Sequence, residues 1–377
     1  MLKGGITLQV FTLFRPPPAL SVLQQAGNFV QIQQAAAILG RGEVVAFPTE
    51  TVYGLGGNAF SDEAVSRIFH AKGRPGDNPL IVHIGHPEEL RRVVTGWPPV
   101  AEELINRFWP GPLTLVLPRR PDVSALVTSG LPTVAVRMPN HPVALQLLRA
   151  VGFPLAAPSA NRSGRPSPTS AAHVIEDLDG FIAAVIDGGV TPEGVESTVL
   201  DLSSQTPAIL RPGSITREML LPYLPGLPSS VRESEIAGVP LAPGMKHPHY
   251  MPKAPLYLYI GEREAVQQRI NQDAILWQSS TRKVAIILTD PTPEMSFPGD
   301  LVLDLSIPSG STSAPSVHAE ERLRTVASNL FAALRFCDQE RMGVILVQGV
   351  EETGIGEAIM NRLNKAAREA YYVVSRS

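Results

Sequence analysis

Two cations separated by one residue, Lys72 and Arg74 in "HAKGRPGDNPLIVHI", stand where a helical pattern gives way to a glycine turn and Asn78. Outside a helix, residues i and i+2 can aim at one anion, the lysine as a point charge and the arginine as a flat fork for phosphate oxygens. The same pair also suits a helix C-terminus, where cations offset the macrodipole. Spacing alone leaves both readings open. His83 lies a few residues further on, inside an apolar run. A lone histidine there reads first as a satisfied core residue.

Further polar groups recur at the ends of apolar runs. "TVAVRMPNHP" ends such a run on Arg137, which needs a carboxylate or phosphate partner because an unpaired buried charge is costly. That partner is either a ligand or an Asp or Glu of the protein. "AAPSANRSGRPSPT" carries Ser159, Asn161, Ser163 and Ser167 in a stretch too proline-rich for a helix. Its hydroxyls and N–H groups can cradle an anion without net charge. "GVESTVLDL" and "ILRPGSIT" add Glu196, Ser197, Thr198 and Arg211. "EVVAFPTETVYGLGGNAF" follows a buried run with two threonines, a glutamate, a tyrosine and three glycines, which reads as a ligand-lined loop.

This is the chemistry of holding a polyanion beside a small polar molecule. No His and carboxylate spacing suits zinc, and no G-x-S-x-G elbow is present. "GVEETGIGEAIMNR" lacks the lysine of a phosphate loop and reads as a tight turn. The single cysteine, Cys337, excludes an intrachain disulfide and reads as a small buried hydrophobe. A net charge of -3 offers no global basic field for a nucleic acid.

The elements that must position these groups follow from the apolar pattern. With 377 residues, 44% of them hydrophobic, two globular domains are expected. Strands are predicted at "VVAF", "PLIVHI", "LTLVLP", "TVAVRMP", "PLAAPSAN", "IAAVIDGG", "STVLDL" and "AILRPG", mixed with helices at "SDEAVSRIFHAKG", "PVAEELINRFWPG", "HPVALQLLRAVG", "SAAHVIEDLDG" and "TREMLLPYL". This is an α/β layered domain over 26–221. Residues 222–254 are rich in Pro and Gly but also hold Met245, Lys246, His249 and Tyr250, as a linker that touches a site would. Residues 255–377 read as a smaller α/β domain with a largely parallel sheet, closed by a final helix over "GEAIMNRLNKAAREAY". Residues 1–25, with no convincing cleavage site, read as a frayed extension or misassigned start rather than a signal peptide. No run is long enough to span a membrane, so a cytoplasmic location is expected.

In this order, "FPTETVYGLG", "KGRPGDNPLIVHI", "WPGPLTLVL", "TVAVRMPNHP", "AAPSANRSGRPSPT", "GVESTVLDL" and "LRPGSIT" resemble the L-threonylcarbamoyladenylate synthase (YrdC-like) family. "APGMKHPHYMP" and "GIGEAIMNRLNKAA" resemble its long, two-domain form. The resemblance implies a twisted mixed-sheet YrdC-like domain with a concave ligand cavity, followed by a smaller Rossmann-like α/β domain.

The resemblance also implies an enzyme that joins L-threonine, bicarbonate and ATP into threonylcarbamoyl-AMP and pyrophosphate. The product would pass to the tRNA threonylcarbamoyl-transferase machinery for t6A modification at position 37 of tRNAs reading ANN codons. By that resemblance Thr51, His83, Arg137, the backbone at Ala157 and Ser197 would hold threonine. Arg74, Asn78, Thr133, Ser159, Ser167 and Arg211 would hold ATP, with Tyr250 folding over the nucleotide. Lys72 and Arg74 would be the catalytic cations, working with a magnesium ion held mainly by the ATP phosphates. The competing expectations are a carbamoyl-transfer enzyme and a YrdC-like RNA-binding module. The sequence leaves direct contact with tRNA open.

Overall fold

The computed structural model describes residues 9–12, 22–229, 235–236, 239–240, 249–280, 282–292, 295–307 and 319–373. Lys246 and most of the 1–25 segment lie outside these residues. The chain divides into two compact units.

The first unit runs β1 (Gln9–Thr12), α1 (Val22–Gly40), β2 (Val45–Phe47), β3 (Gly54–Asn58), α2 (Asp62–Lys72), β4 (Ile81–His83), α3 (Pro99–Phe108), β5 (Leu113–Pro118), β6 (Thr133–Arg137), α4 (Pro142–Val151), β7 (Leu155–Ala156), α5 (Ala171–Leu178), β8 (Ala184–Asp187), β9 (Thr198–Asp201), β10 (Ala208–Arg211) and α6 (Arg217–Leu220). A two-residue pair, β11 (Glu235–Ile236) and β12 (Val239–Pro240), follows. Ten strands form one mixed sheet in the order β1-β8-β2-β3-β7-β4-β6-β5-β9-β10.

Both faces of that sheet are covered, and strand alternation decides which residue goes where. Val45 and Phe47 pack with Ile32 and Leu39 of α1 and Leu147 and Leu148 of α4. Ala46 points the other way, into a cluster with Val65 and Ile68 of α2, Leu104 of α3 and Val174 of α5. Helix α2 obeys its sequence signals closely. The Ser61 hydroxyl accepts from Ala64 N, Asp62 and Glu63 fill the first turn, and Gly73 closes the helix in the left-handed region at φ 59°.

Three sequence expectations need correction. The glycines of "YGLGGNAF" do not make a loop: Gly54–Asn58 is a strand, paired antiparallel to β2. None of Gly54, Gly56 and Gly57 has a positive φ. They are small because β3 is packed tightly; a Cβ on Gly56 would lie 2.8 Å from Phe47 Cε1. A helix, α1, occupies Val22–Gly40, where the sequence reading placed no element. Its Ile32, Ala35, Ala36 and Leu39 form the buried stripe. The final helix stops at Ala366, and Glu369–Val373 forms a further strand.

The second unit contains β13 (Leu256–Gly261), α7 (Arg263–Ser279), β14 (Val284–Leu288), β15 (Leu301–Asp304), α8 (Ala319–Gln339), β16 (Val344–Gln348), α9 (Ile355–Ala366) and β17 (Glu369–Val373), together with residues 164–166 and 193–195. Its five strands lie in the order β15-β14-β16-β13-β17, all parallel, with helical crossovers in a Rossmann-like arrangement. The aromatic-rich "EAYYV" explains the last strand: Tyr371 stacks on Tyr257 of β13 at 6.0 Å. Within α8, Arg335 is fully buried and donates to Pro166 O at 2.6 Å. Cys337 is also buried, and desolvation pushes its thiol up to about 12, as befits a small core residue. Among the described residues no helix is long and apolar enough to cross a membrane.

Candidate active site

Sheet register assembles the first group of candidates. Parallel pairing of β4 with β6 sets His83 opposite Arg137, and antiparallel pairing of β6 with β5 sets Arg137 opposite Thr114. Cross-strand partners share a face, so one row of the sheet carries an imidazole, a guanidinium and a hydroxyl. The turn between β2 and β3 brings Thr49, Glu50 and Thr51 to this row.

Arg137 is 3% exposed. Its Nη1 donates to Thr51 Oγ1 at 2.9 Å, and its Nη2 lies 2.6 Å from Glu50 Oε2. Thr49 Oγ1 gives its one hydrogen to Val52 O at 2.6 Å, so in the 2.9 Å pair of threonine hydroxyls Thr51 is the donor. Thr51 therefore spends its hydrogen and one lone pair on the protein and keeps a second lone pair for a further donor. Of the two partners the sequence offered Arg137, a protein carboxylate is the one seen here.

His83 is buried, and desolvation, aided by the Arg137 charge, lowers its pKa to about 3. The ring is neutral at pH 7. Its Nδ1 lies 3.2 Å from Ile81 O; a carbonyl can only accept, so Nδ1 carries the hydrogen and Nε2 is left as an acceptor. The same Ile81 carbonyl accepts from Ala157 N at 2.8 Å, which ties the Ala157 backbone to the His83 strand.

Ser197 joins the row from β9's leading edge. Its Oγ is 2.8 Å from Thr114 Oγ1. Arg211 donates through Nη2 to that hydroxyl at 3.2 Å and to Ser197 O at 2.9 Å. One residue earlier, Glu196 accepts a hydrogen bond from the Ser167 hydroxyl through Oε1. Gly213 has no room for a side chain, since a Cβ there would lie 2.3 Å from Thr198 N. Thr51, His83, Arg137, Ala157, Ser197, Arg211 and Ser167 are thus linked through hydrogen bonds, strand register or chain continuity.

The cations of "KGRPG" bind the protein itself. Lys72, 2% exposed, donates to Ser159 O at 2.5 Å and Asn161 O at 2.7 Å, fixing the 159–161 loop. Ser159 Oγ in turn donates to Asn161 Oδ1 at 2.6 Å. Arg74 closes the following turn, with Nε donating to Asn78 O at 3.2 Å and Nη2 to Pro79 O at 3.1 Å. Asn78 is buried, and its Oδ1 has no hydrogen-bond partner among the described residues.

Two further candidates are positioned by other elements. Thr133 begins β6, four residues from Arg137 and so roughly 13 Å along the strand. Tyr250 belongs to the second unit, where it adopts φ 66° and stacks on Phe331 at 5.1 Å. Sequence reasoning missed the parts played by Glu50 and Thr114. Glu50 sits between two threonines at a strand end, and Thr114 is the one polar residue within "LTLVL"; both signals were present but unpartnered in the sequence.

Residues 37–213 match the family described as "Telomere recombination", and residues 215–368 match "Threonylcarbamoyl-AMP synthase, C-terminal domain". The chain belongs to the threonylcarbamoyl-AMP synthase family. A member named threonylcarbamoyl-AMP synthase from Bacillus subtilis is 47% identical over 90% of this chain and 94% of its own length. The Schizosaccharomyces pombe member of the same name is 40% identical over 89% of this chain and 88% of its own. Among solved structures, Pyrococcus abyssi Sua5 complexed with L-threonine is 42% identical, with a TM-score of 0.84 over 97% of this chain and 99% of that one. Membership of this family accounts for both units of the chain.

Proposed function

We propose that this chain is an L-threonylcarbamoyladenylate synthase, forming threonylcarbamoyl-AMP and pyrophosphate from L-threonine, bicarbonate and ATP. The observation that carries the reading is the buried Arg137, bonded to Thr51 and set in one strand row with His83 and Thr114. The chain is similar over nearly its whole length to a Sua5 crystallised with L-threonine. A buried guanidinium with planar geometry suits the carboxylate of a free amino acid. Thr51, Ser197 and the Nε2 of neutral His83 supply polar partners for its hydroxyl, which favours threonine over valine because an unmatched buried polar group is penalised.

The carbamate formed on the threonine nitrogen attacks the α-phosphorus of ATP, forming an O–P bond as the bond to pyrophosphate breaks. A carbamate loses carbon dioxide readily in water, so orientation and exclusion of solvent carry much of the catalysis, on the order of 7–11 kcal/mol in favourable cases. Arg74, Arg211 and Lys72 would stabilise charge on the transferring phosphate and the leaving group. In this role Lys72 and Arg74 exchange part of their carbonyl contacts for phosphate oxygens. Asn78, Ser159, Ser167 and Thr133 would complete the nucleotide site.

Magnesium would enter with ATP. Among the described residues no three His, Cys, Asp or Glu side chains cluster to hold a metal. The cations Lys72 and Arg74 suit phosphate oxygens and cannot ligate a metal ion, so the phosphates would carry it. When bound, the ion supplies charge neutralisation at the phosphates. The product would serve t6A formation by passing to a tRNA threonylcarbamoyl-transferase, and a cytoplasmic location fits that role.

The test is pyrophosphate release by the purified full-length chain. Release from ATP is expected only with threonine and bicarbonate together; release with serine in place of threonine, or without bicarbonate, refutes the assignment.

A further inference from the structure

The mechanism above gives Glu50 no part. Yet Glu50 as a whole residue is only 4% exposed, and neither carboxylate oxygen accepts a hydrogen bond from any described group. Its nearest charge is Arg137, at 2.6 Å, and Arg137 also keeps Nε and Nη2 without hydrogen bonds. Such an arrangement is costly. A buried ion pair recovers its desolvation cost only when further hydrogen bonds satisfy the remaining lone pairs and protons. Here both partners hold bonding capacity in reserve, next to the Thr51 hydroxyl.

A free α-amino acid carries the matching charges, a carboxylate and an ammonium on one carbon. We propose that Glu50 is the ammonium-binding residue of the amino-acid site. Arg137 and Glu50 form a socket of two opposite charges, into which the zwitterion inserts with its carboxylate toward Arg137 and its α-ammonium toward Glu50. This rests on the reading of the chain as a threonine-using enzyme. The ion pair keeps both charges compensated while the site is empty, and the zwitterion takes over each half of the pair on entry. The socket selects free α-amino acids against hydroxy acids and N-acylated amino acids, which lack the cation. Once the nitrogen has become a carbamate its positive charge is gone, so Glu50 grips the entering substrate and not the activated one.

A plain counter-ion of Arg137 would look similar in the empty protein, and binding calorimetry on the full chain separates the two. The probes are L-threonine and 2,3-dihydroxybutanoate, in which a hydroxyl replaces the ammonium. The wild type is expected to prefer threonine by roughly 30-fold or more, the scale of one buried charge pair. Glu50→Gln is expected to collapse that preference toward unity by losing threonine affinity alone. Glu50→Asp, which keeps the charge but shortens its reach, should show an intermediate preference. Equal weakening of both probes by Glu50→Gln, with the preference intact, overturns the proposal. So does a wild type that binds both probes alike, a result independent of how any variant folds. A wild type that binds neither probe instead removes the threonine reading on which the proposal stands.

Discussion

Arg137 Nη2 lies 2.6 Å from Glu50 Oε2, with the two side chains only 4% and 6% exposed. Their stabilities are therefore coupled. Arg137→Met leaves a buried carboxylate without its counter-charge, at a cost of about 3–5 kcal/mol. The double variant Arg137→Met with Glu50→Gln removes both charges and should be the more stable of the two in urea unfolding. Simple addition of two independent losses would show that the pair is not coupled.

Loss of Arg137 should also act on binding. Arg137→Lys preserves the charge but not the planar fork. Threonine affinity is expected to fall at least tenfold, with ATP affinity nearly unchanged, in separate titrations. Equal losses for both ligands would move Arg137 out of the amino-acid site.

His83 makes a prediction about acid stability. Its folded-state pKa of about 3 lies below the ordinary histidine value of 6.5, through burial first and Arg137 second. The unfolded chain then binds the extra proton between those limits. The stabilisation is fully present above about pH 6.5 and is lost as pH falls toward 3, at about 1.4 kcal/mol per pH unit. His83→Gln should flatten the acid limb of stability by that slope. An unchanged slope would mean that His83 is not held neutral.

Thr114 was not among the residues marked by sequence, yet its hydroxyl is 2.8 Å from Ser197 Oγ. Thr114→Val keeps the shape and removes the bond, costing about 1–3 kcal/mol for the buried group left unpaired. Threonine affinity should drop with it, because Ser197 loses one of the contacts that orient it. Unaltered affinity would make the pair purely structural.

Gly213 tests the junction of the two polar loops. A Cβ would lie 2.3 Å from Thr198 N and 2.6 Å from Ser197 C, both backbone atoms that cannot swing aside. Gly213→Ala is expected to cost about 1–3 kcal/mol and to reduce turnover by shifting Ser197 away from Arg211. Wild-type melting temperature and turnover together would show that the loops have slack.

Much of this arrangement was legible in the sequence, for local reasons. Ser61, Val65, Ile68 and Gly73 spell out helix α2 by cap, period and stop signal, and the helix forms over Asp62–Lys72. The placement of arginines and hydroxyls at strand ends was equally plain. What stayed hidden depends on partners distant in sequence. Gly56 looks like a turn residue until Phe47 is seen against it. Arg137 announces a need for an anion, but only the β2–β3 turn shows that Glu50 meets it. The strand Glu369–Val373 continues a helical pattern until β13 offers it an edge.

The site around Thr51, Arg137 and Ser197 is proposed to join an amino acid, carbon dioxide and a nucleotide in one product. Mass spectrometry of reactions containing ¹³C-bicarbonate, L-threonine and ATP reads this directly. An AMP adduct that carries both threonine and the labelled carbon is expected, formed in step with pyrophosphate. Unlabelled threonyl-AMP, or ATP consumption with no adduct that contains the label, would contradict it.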